Sequence, residues 1–375
     1  MEEDAGQSIP FKYPASDFLL TVGGSSALVQ AFSWLWYHYD KDSTETRTES
    51  LVKSLHSLKI LHVFQMGVYL RYAGLVRISI CGFCCRKRYM EGNAVYLTHD
   101  LSLLRLIETF SESAPQLVLM ITIIIQRGEV EPITILKALG SVSAIAVSVT
   151  MYHRSLRSFL PDKAKQGWGS SVVYFLWNLL LIGPRVAAVA LFASVFPCFI
   201  AAHFLSSWMV LFFVAWQLKT NFMDSGGGEW LYRATVGLIW YFSWFSIVEG
   251  HTRQRSTIYH TWIGVDIGML CGFWVWQMMK NPPYFELPLD PYVIFVIMIS
   301  LYIAGLCLKV TYYKFCHPKI TKQGEVECHL ELMSVGVPPN GEDVVDFRFM
   351  GHTERPEPSV RVNKRMRNLA GNFYS

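Results

Sequence analysis

The chain has 375 residues, of which 52% are hydrophobic and only 17% charged, with a formal net charge of +4. Soluble domains carry about 25% charged residues, so an ordinary water-soluble fold is excluded. The weak positive balance sits mainly in loops and tail, which argues against nucleic-acid binding. The apolar residues come in long runs, as expected of an all-α polytopic membrane bundle.

Residues 1–16 are acidic, contain proline and do not resemble a cleavable signal peptide. The first apolar run, 17–39, is rich in Gly, Ser and Trp, which suit helix–helix contacts and interfacial belts. Leu58–Phe83 is apolar but contains Arg71 and Arg77 and has basic residues on both flanks. Basic residues mark the cytoplasmic side, so this segment is expected to enter and leave from one face. Spans are expected at 100–126, 132–152, 171–196 and 198–218, with the basic loop 153–165 inside and the short turn QRGEVE outside. The stretch 229–250, followed by His251-Thr252-Arg253-Gln254-Arg255, reads as a second re-entrant hairpin. Spans 258–279 and 291–313 complete about seven crossings, so that a cytosolic carboxyl end leaves the amino end outside. The organisation is thus a polar segment (1–16), a transmembrane domain (17–313) and a polar tail (314–375). The tail holds nine Lys and Arg and is too poor in apolar residues for a core.

The stretch Asp100–Arg127 stands out. On a helical wheel Arg105, Glu108 and Glu112 fall within about 60° of one another. Pro115 follows, lacks an N–H and is expected to displace the carbonyl of Ser111. Each charge facing lipid at mid-bilayer costs roughly 2.5–3.5 kcal/mol. These side chains are therefore expected to face other helices or a wet cavity. Arg185, directly after Gly183-Pro184, and Asp266 are the other intramembrane charges singled out. They read either as a buried pair fixing helix packing or as part of a polar track. His203 and Asn178 read as interhelical hydrogen-bonders.

Eight cysteines form no disulfide or metal pattern. Cys81, Cys84 and Cys85 lie beside Arg86-Lys87-Arg88 and are candidates for palmitoylation, or else plain free thiols. No Walker loop, H-E-x-x-H or nucleophile elbow is present, so neither an ATP-driven pump nor a hydrolase has a motif behind it. In the tail, Asp343-Val344-Val345-Asp346 follows a flexible PPNGE. This is a candidate executioner-caspase site, with cleavage after Asp346. Phe347 stands where such proteases prefer a small residue.

The segments LLRLIETFSESAPQLVL (103–119), GSSVVYFLWNLLLIGPRVAAVALF (169–192) and EWLYRATVGLIWYFSWFSIVEGHTR (229–253) resemble the XK-related membrane proteins. The likeness covers roughly residues 22–318. It implies an all-α fold of two pseudo-repeats with re-entrant helices, and a further acid-bearing helix ahead of the first span read here. It implies phospholipid scrambling without an energy source, dormant until an executioner caspase cuts the cytosolic tail. The outcome would be phosphatidylserine exposure at the plasma membrane in apoptosis. A single-span immunoglobulin-type chaperone resembling basigin or neuroplastin is the implied partner, with no cofactor, metal or nucleic acid. On that expectation Arg105, Glu108, Glu112, Arg185 and Asp266 line or gate a hydrated lipid path. The basic cluster Lys364-Arg365-Arg367 reads either as a latch on the anionic inner leaflet or as part of a solvated tail. The rival expectation, from the family's founding member, is a non-scrambling scaffold or transporter-associated subunit.

Overall fold

The computed structural model describes residues 15–40, 58–85, 88–128, 131–160, 166–248, 252–282, 289–316, 365, 368 and 369. All regular structure among them is helical. In chain order the elements are α1 (Ala15–Tyr39), α2 (Leu58–Val63), α3 (Gly67–Cys85), α4 (Arg88–Glu108), a π-helical turn (Thr109–Ser113), α5 (Ala114–Arg127) and α6 (Pro132–Phe159). They continue with α7 (Trp168–Val195), α8 (Pro197–Gln217), α9 (Gly226–Phe242), α10 (Thr252–Lys280), α11 (Pro291–Thr311) and a second π turn (Tyr312–Cys316).

Among the described residues four helices are long and apolar enough to cross a membrane: α6, α7, α8 and α11 with its π turn. The others fall short for visible reasons. α5 has only 14 residues, although the π turn joins it to α4. α10 opens on the polar sequence TRQRSTIYH.

The segment expected to enter and leave from one face is two helices, α2 and α3, broken at Phe64–Met66. Gln65 there has a φ of 62°. Gly67 is required at the break, because a Cβ on it would lie 2.3 Å from the His62 ring. The tip is apolar and uncovered, with Val63 80% and Phe64 72% exposed.

Pro115 is accommodated without the expected clash. It falls in the first turn of α5, where its missing N–H has no intrahelical role. The π turn ahead of it carries one extra residue, and the Ala114 N–H reaches back to the Thr109 carbonyl. Loosened carbonyls upstream are met by side chains: Thr109 Oγ1 donates to Arg105 O at 2.7 Å and Ser111 Oγ to Ile107 O at 2.7 Å.

α7 is the centre of the bundle, with fourteen buried residues that include Trp177, Asn178, Pro184 and Arg185. At one end of the bundle, contacts gather the segments that the sequence places inside. His99 packs on Tyr152 and Phe159, Gln166 and Ser170 reach Tyr312 Oη, and Lys309 reaches Ser256. At the opposite end Gln126 donates to the Ser194 carbonyl.

Candidate functional site

Two buried ionic clusters tie the helices together. The first brings together two of the residues singled out from sequence. Arg185 on α7 donates through Nη1 to Asp266 Oδ2 on α10, and through Nε to the Tyr241 carbonyl on α9 at 3.0 Å. Its guanidinium carbon lies 4.7 Å from the Tyr241 ring centre. His203 on α8 completes the set. A carboxylate only accepts, so Nε2–H donates to Asp266 Oδ1 at 3.1 Å, and Nδ1 accepts from the Tyr241 hydroxyl at 3.1 Å. Three helices meet at the Asp266 carboxylate, and Tyr241 ties in a fourth through Arg185 and His203. Asn178, expected to bridge helices, instead donates to the Tyr174 carbonyl of its own helix.

The second cluster lies at the end that gathers residues 99, 152–170 and 312. Asp100 on α4 accepts from Arg71 Nη1 at 3.2 Å and from Arg365 Nη2 at 2.7 Å. Arg365 also donates to Asp40 Oδ2 through Nη2 at 3.0 Å and Nε at 3.3 Å. Its guanidinium lies 4.4 Å from the Trp36 ring centre and 5.4 Å from that of Phe222. Arg71 is anchored through Nε to Ser33 Oγ and through Nη2 to Ser33 O, both at 3.1 Å, and lies 4.0 Å from the Tyr37 ring centre.

Arg365 is 1% exposed. Burial disfavours its charge, but the carboxylates of Asp100 and Asp40 outweigh that and hold its pKa above the ordinary arginine value. It therefore stays cationic. The tail's arginine is sunk among protein acids, where the sequence reading had it either on a lipid surface or in water.

The charged face of Asp100–Arg127 is placed differently from expectation. Arg105 and Glu108 are exposed, and no other described helix covers them. Glu112 is half-buried; it accepts from Ser25 Oγ at 2.7 Å and from Gln116 Nε2 at 3.3 Å. Ser26 and Gln30, on another face of α1, bond to Gln65 at the α2–α3 break. Cys81 is a half-buried free thiol. The side chains of Cys84 and Cys85 lie outside the described residues, as do Asp343, Asp346, Lys364 and Arg367.

Sequence reasoning missed Asp40, Asp100 and the role of Arg71. It marked Arg71 as an anomaly, yet nothing in a spacing of 29 residues pairs it with Asp100. Among the described residues no three His, Cys, Asp or Glu side chains gather as a metal site would need.

This buried arrangement of two acids and two arginines ties α1, α3 and α4 to residue 365. The family model for XK-related proteins matches residues 16–318. The XK-related protein 8 of Tetraodon nigroviridis is 44% identical over 360 residues, covering 94% of this chain and 85% of that protein. That of Gasterosteus aculeatus is 43% identical over 363 residues, with 94% and 86% covered. That of Pan troglodytes is 37% identical over 362 residues, with 95% and 84% covered. On the family match and these identities, the chain belongs to the XK-related family of membrane proteins.

Proposed function

We propose that this protein is an energy-independent phospholipid scramblase of the plasma membrane, held closed by its cytosolic tail. An executioner caspase opens it by cutting after Asp346, and phosphatidylserine then reaches the cell surface in apoptosis. The observation that carries this reading is Arg365, buried between Asp40 and Asp100. Cleavage after Asp346 would cut Arg365 away from the chain that holds it. With Arg365 bound, two acids face two arginines. Without it, one arginine remains and Asp40 loses its cation, so water or a partner must enter the cluster.

The membrane arrangement belongs to the same proposal. About seven crossings, with α2–α3 and α9 as re-entrant hairpins, place the Arg365 end in the cytosol and the amino end outside. The broken α2–α3 unit and the non-helical backbone after α9, at 243–248, support that arrangement. Irregular backbone at membrane depth is tolerated only where protein or a wet cavity covers it. The exposed Arg105 and Glu108, with Glu112 and Ser25 beside them, are where a headgroup would travel while its acyl chains stay in lipid. The barrier is then mainly headgroup desolvation. A single-span immunoglobulin-type partner resembling basigin or neuroplastin would bring the protein to the cell surface.

The test reconstitutes the full chain and residues 1–346 in vesicles with a fluorescent phospholipid and a membrane-impermeant quencher. The expected result is loss of inner-leaflet fluorescence with 1–346, and with the full chain only after caspase treatment. No loss with either form, partner present, removes the scramblase and leaves the scaffold reading.

A further inference from the structure

The seat that holds Arg365 is assembled from α1 and its end, α4 and the turn before α9. Asp40 directly follows α1, its own N–H donating to the Trp36 carbonyl at 2.9 Å. Asp100 comes from α4 and Phe222 from the turn that leads into α9. The Trp36 and Phe222 rings meet edge to face at 6.1 Å. The tail enters this seat with a second anchor. Leu369 is 2% exposed and belongs to the same apolar core as Trp36 and Phe222. Residues 365, 368 and 369 are helical, and a spacing of four puts the arginine and the leucine on one helix face. Anchors at i and i+4 are the pattern of a helix laid in a groove.

None of these contacts needs the tail to be covalently attached. The hydrogen bonds and ring contacts of Arg365 named above join it to residues no later than Phe222, and a cut after Asp346 breaks none of them. Such a cut removes only the tether. A tether supplies an effective concentration of up to about millimolar, so a segment docked while tethered needs a Kd no lower than that order to stay in place. Without Arg365 the seat keeps two carboxylates against the one guanidinium of Arg71. Oδ1 of Asp40 and Oδ1 of Asp100 are buried with no donor among the described residues even while Arg365 is bound. An emptied seat therefore attracts a guanidinium and has acceptors to spare for it.

We propose that this seat is a peptide-docking site in its own right, which takes the released segment 347–375 back in trans through Arg365 and Leu369. Docking in trans deepens the reading above, on which it rests for the cut and for what closure prevents. Cutting then leaves the closed state intact at first. It converts an intramolecular contact into a bimolecular one, and opening follows when the fragment is diluted away. The fragment is a reversible inhibitor of the protein it came from.

The receptor for the test is the full-length chain carrying Arg365→Ala and Leu369→Ala, whose own tail no longer holds the seat. A labelled synthetic peptide of residues 347–375 is titrated against it in detergent and read by fluorescence anisotropy. Saturable binding below about 1 mM is expected. The unmodified chain, its seat filled by its own tail, should bind the peptide at least about tenfold more weakly. The Arg365→Ala peptide should lose about thirtyfold in affinity and the Leu369→Ala peptide about tenfold. Asp40→Asn in the receptor should weaken the unmodified peptide and leave the Arg365→Ala peptide unchanged. In the quencher assay the peptide, present on both sides of the membrane, should slow scrambling by the double variant. No saturation by about 1 mM, equal binding to the unmodified chain, undiminished binding of the Arg365→Ala peptide, or scrambling that bound peptide leaves unslowed would each overturn the proposal. Should the double variant fail to fold, the single Arg365→Ala chain takes its place. Peptide binding with no scrambling by any form would refute the proposed function and leave the docking site standing; scrambling without peptide binding would do the reverse.

Discussion

Arg185 and Asp266 meet at the centre of the bundle, on helices 81 residues apart in sequence. Each would be a costly isolated charge, and together with His203 and Tyr241 they become a joint between four helices. Removing one partner leaves the other uncompensated, at a typical cost of about 3–5 kcal/mol, whereas apolar replacement of both is often neutral. Arg185→Met and Asp266→Leu alone should sharply lower the folded fraction in detergent, and the double variant should recover most of it. Size-exclusion yield and thermal melting of the four proteins check this.

Arg365 should control opening without any cut. Truncating one member of a buried hydrogen-bonded charge pair costs at least about 2 kcal/mol, equivalent to roughly thirtyfold in docking. Full-length Arg365→Ala should therefore scramble lipid unprompted. Arg365→Lys should be intermediate, because it keeps the charge but lacks the planar guanidinium that donates through both Nε and Nη2 and stacks on Trp36. The quencher assay reads both.

Glu229 acts one step further away. Its carboxylate accepts from the Phe222 N–H at 3.0 Å, the Met223 N–H at 2.8 Å and the Thr220 hydroxyl. It thus fixes the turn that sets Phe222 under Arg365. Glu229→Gln exchanges charge-assisted bonds for weaker ones, a loss of about 1–3 kcal/mol. A lower melting temperature and leakier closure of the full chain are the expected outcomes.

Glu108 and Glu112 separate structural from functional use. Glu108→Gln loses the attraction of the exposed Arg105, a small effect at a surface, so abundance should hold while scrambling changes. Glu112→Gln keeps a side-chain oxygen for Ser25 and should likewise fold. Parallel loss of surface protein and activity in both would mark them as structural.

Gly305 tests the packing of α11 on α7. A Cβ there would meet Leu181 Cδ2 at 2.8 Å and Leu180 Cβ at 3.0 Å. Gly305→Val should destabilise by about 1–3 kcal/mol through overpacking, visible as reduced melting temperature with no change in what opens the protein.

Most helices were legible because a bilayer demands long apolar runs, and the runs at 132–152, 171–196, 198–218 and 291–313 contain little else. The anomaly of the segment 58–83 was legible from its charges, although the break itself falls at Phe64–Met66, where neither charge nor proline marks it. The π turn was not, since an extra residue in a helix alters no composition. The ionic clusters were legible only in part. Arg185 and Asp266 each announced the need for a partner, but partners in a bundle come from other helices and follow no period. Asp40 read as loop. Arg365 was assigned to the tail's basic cluster and given a lipid surface or water to face, because sequence reports charge and leaves out which acids lie buried nearby.

Arg365 is translated 325 residues after Asp40, its partner. At about 5–20 residues per second that interval lasts roughly a quarter of a minute to a minute. Throughout it the nascent helices enter the membrane with Asp40 still waiting for its cation. Under the proposed function, every newly made molecule passes through a stage equivalent to the cleaved one, and a ribosome that stops early would release a protein that has never been shut.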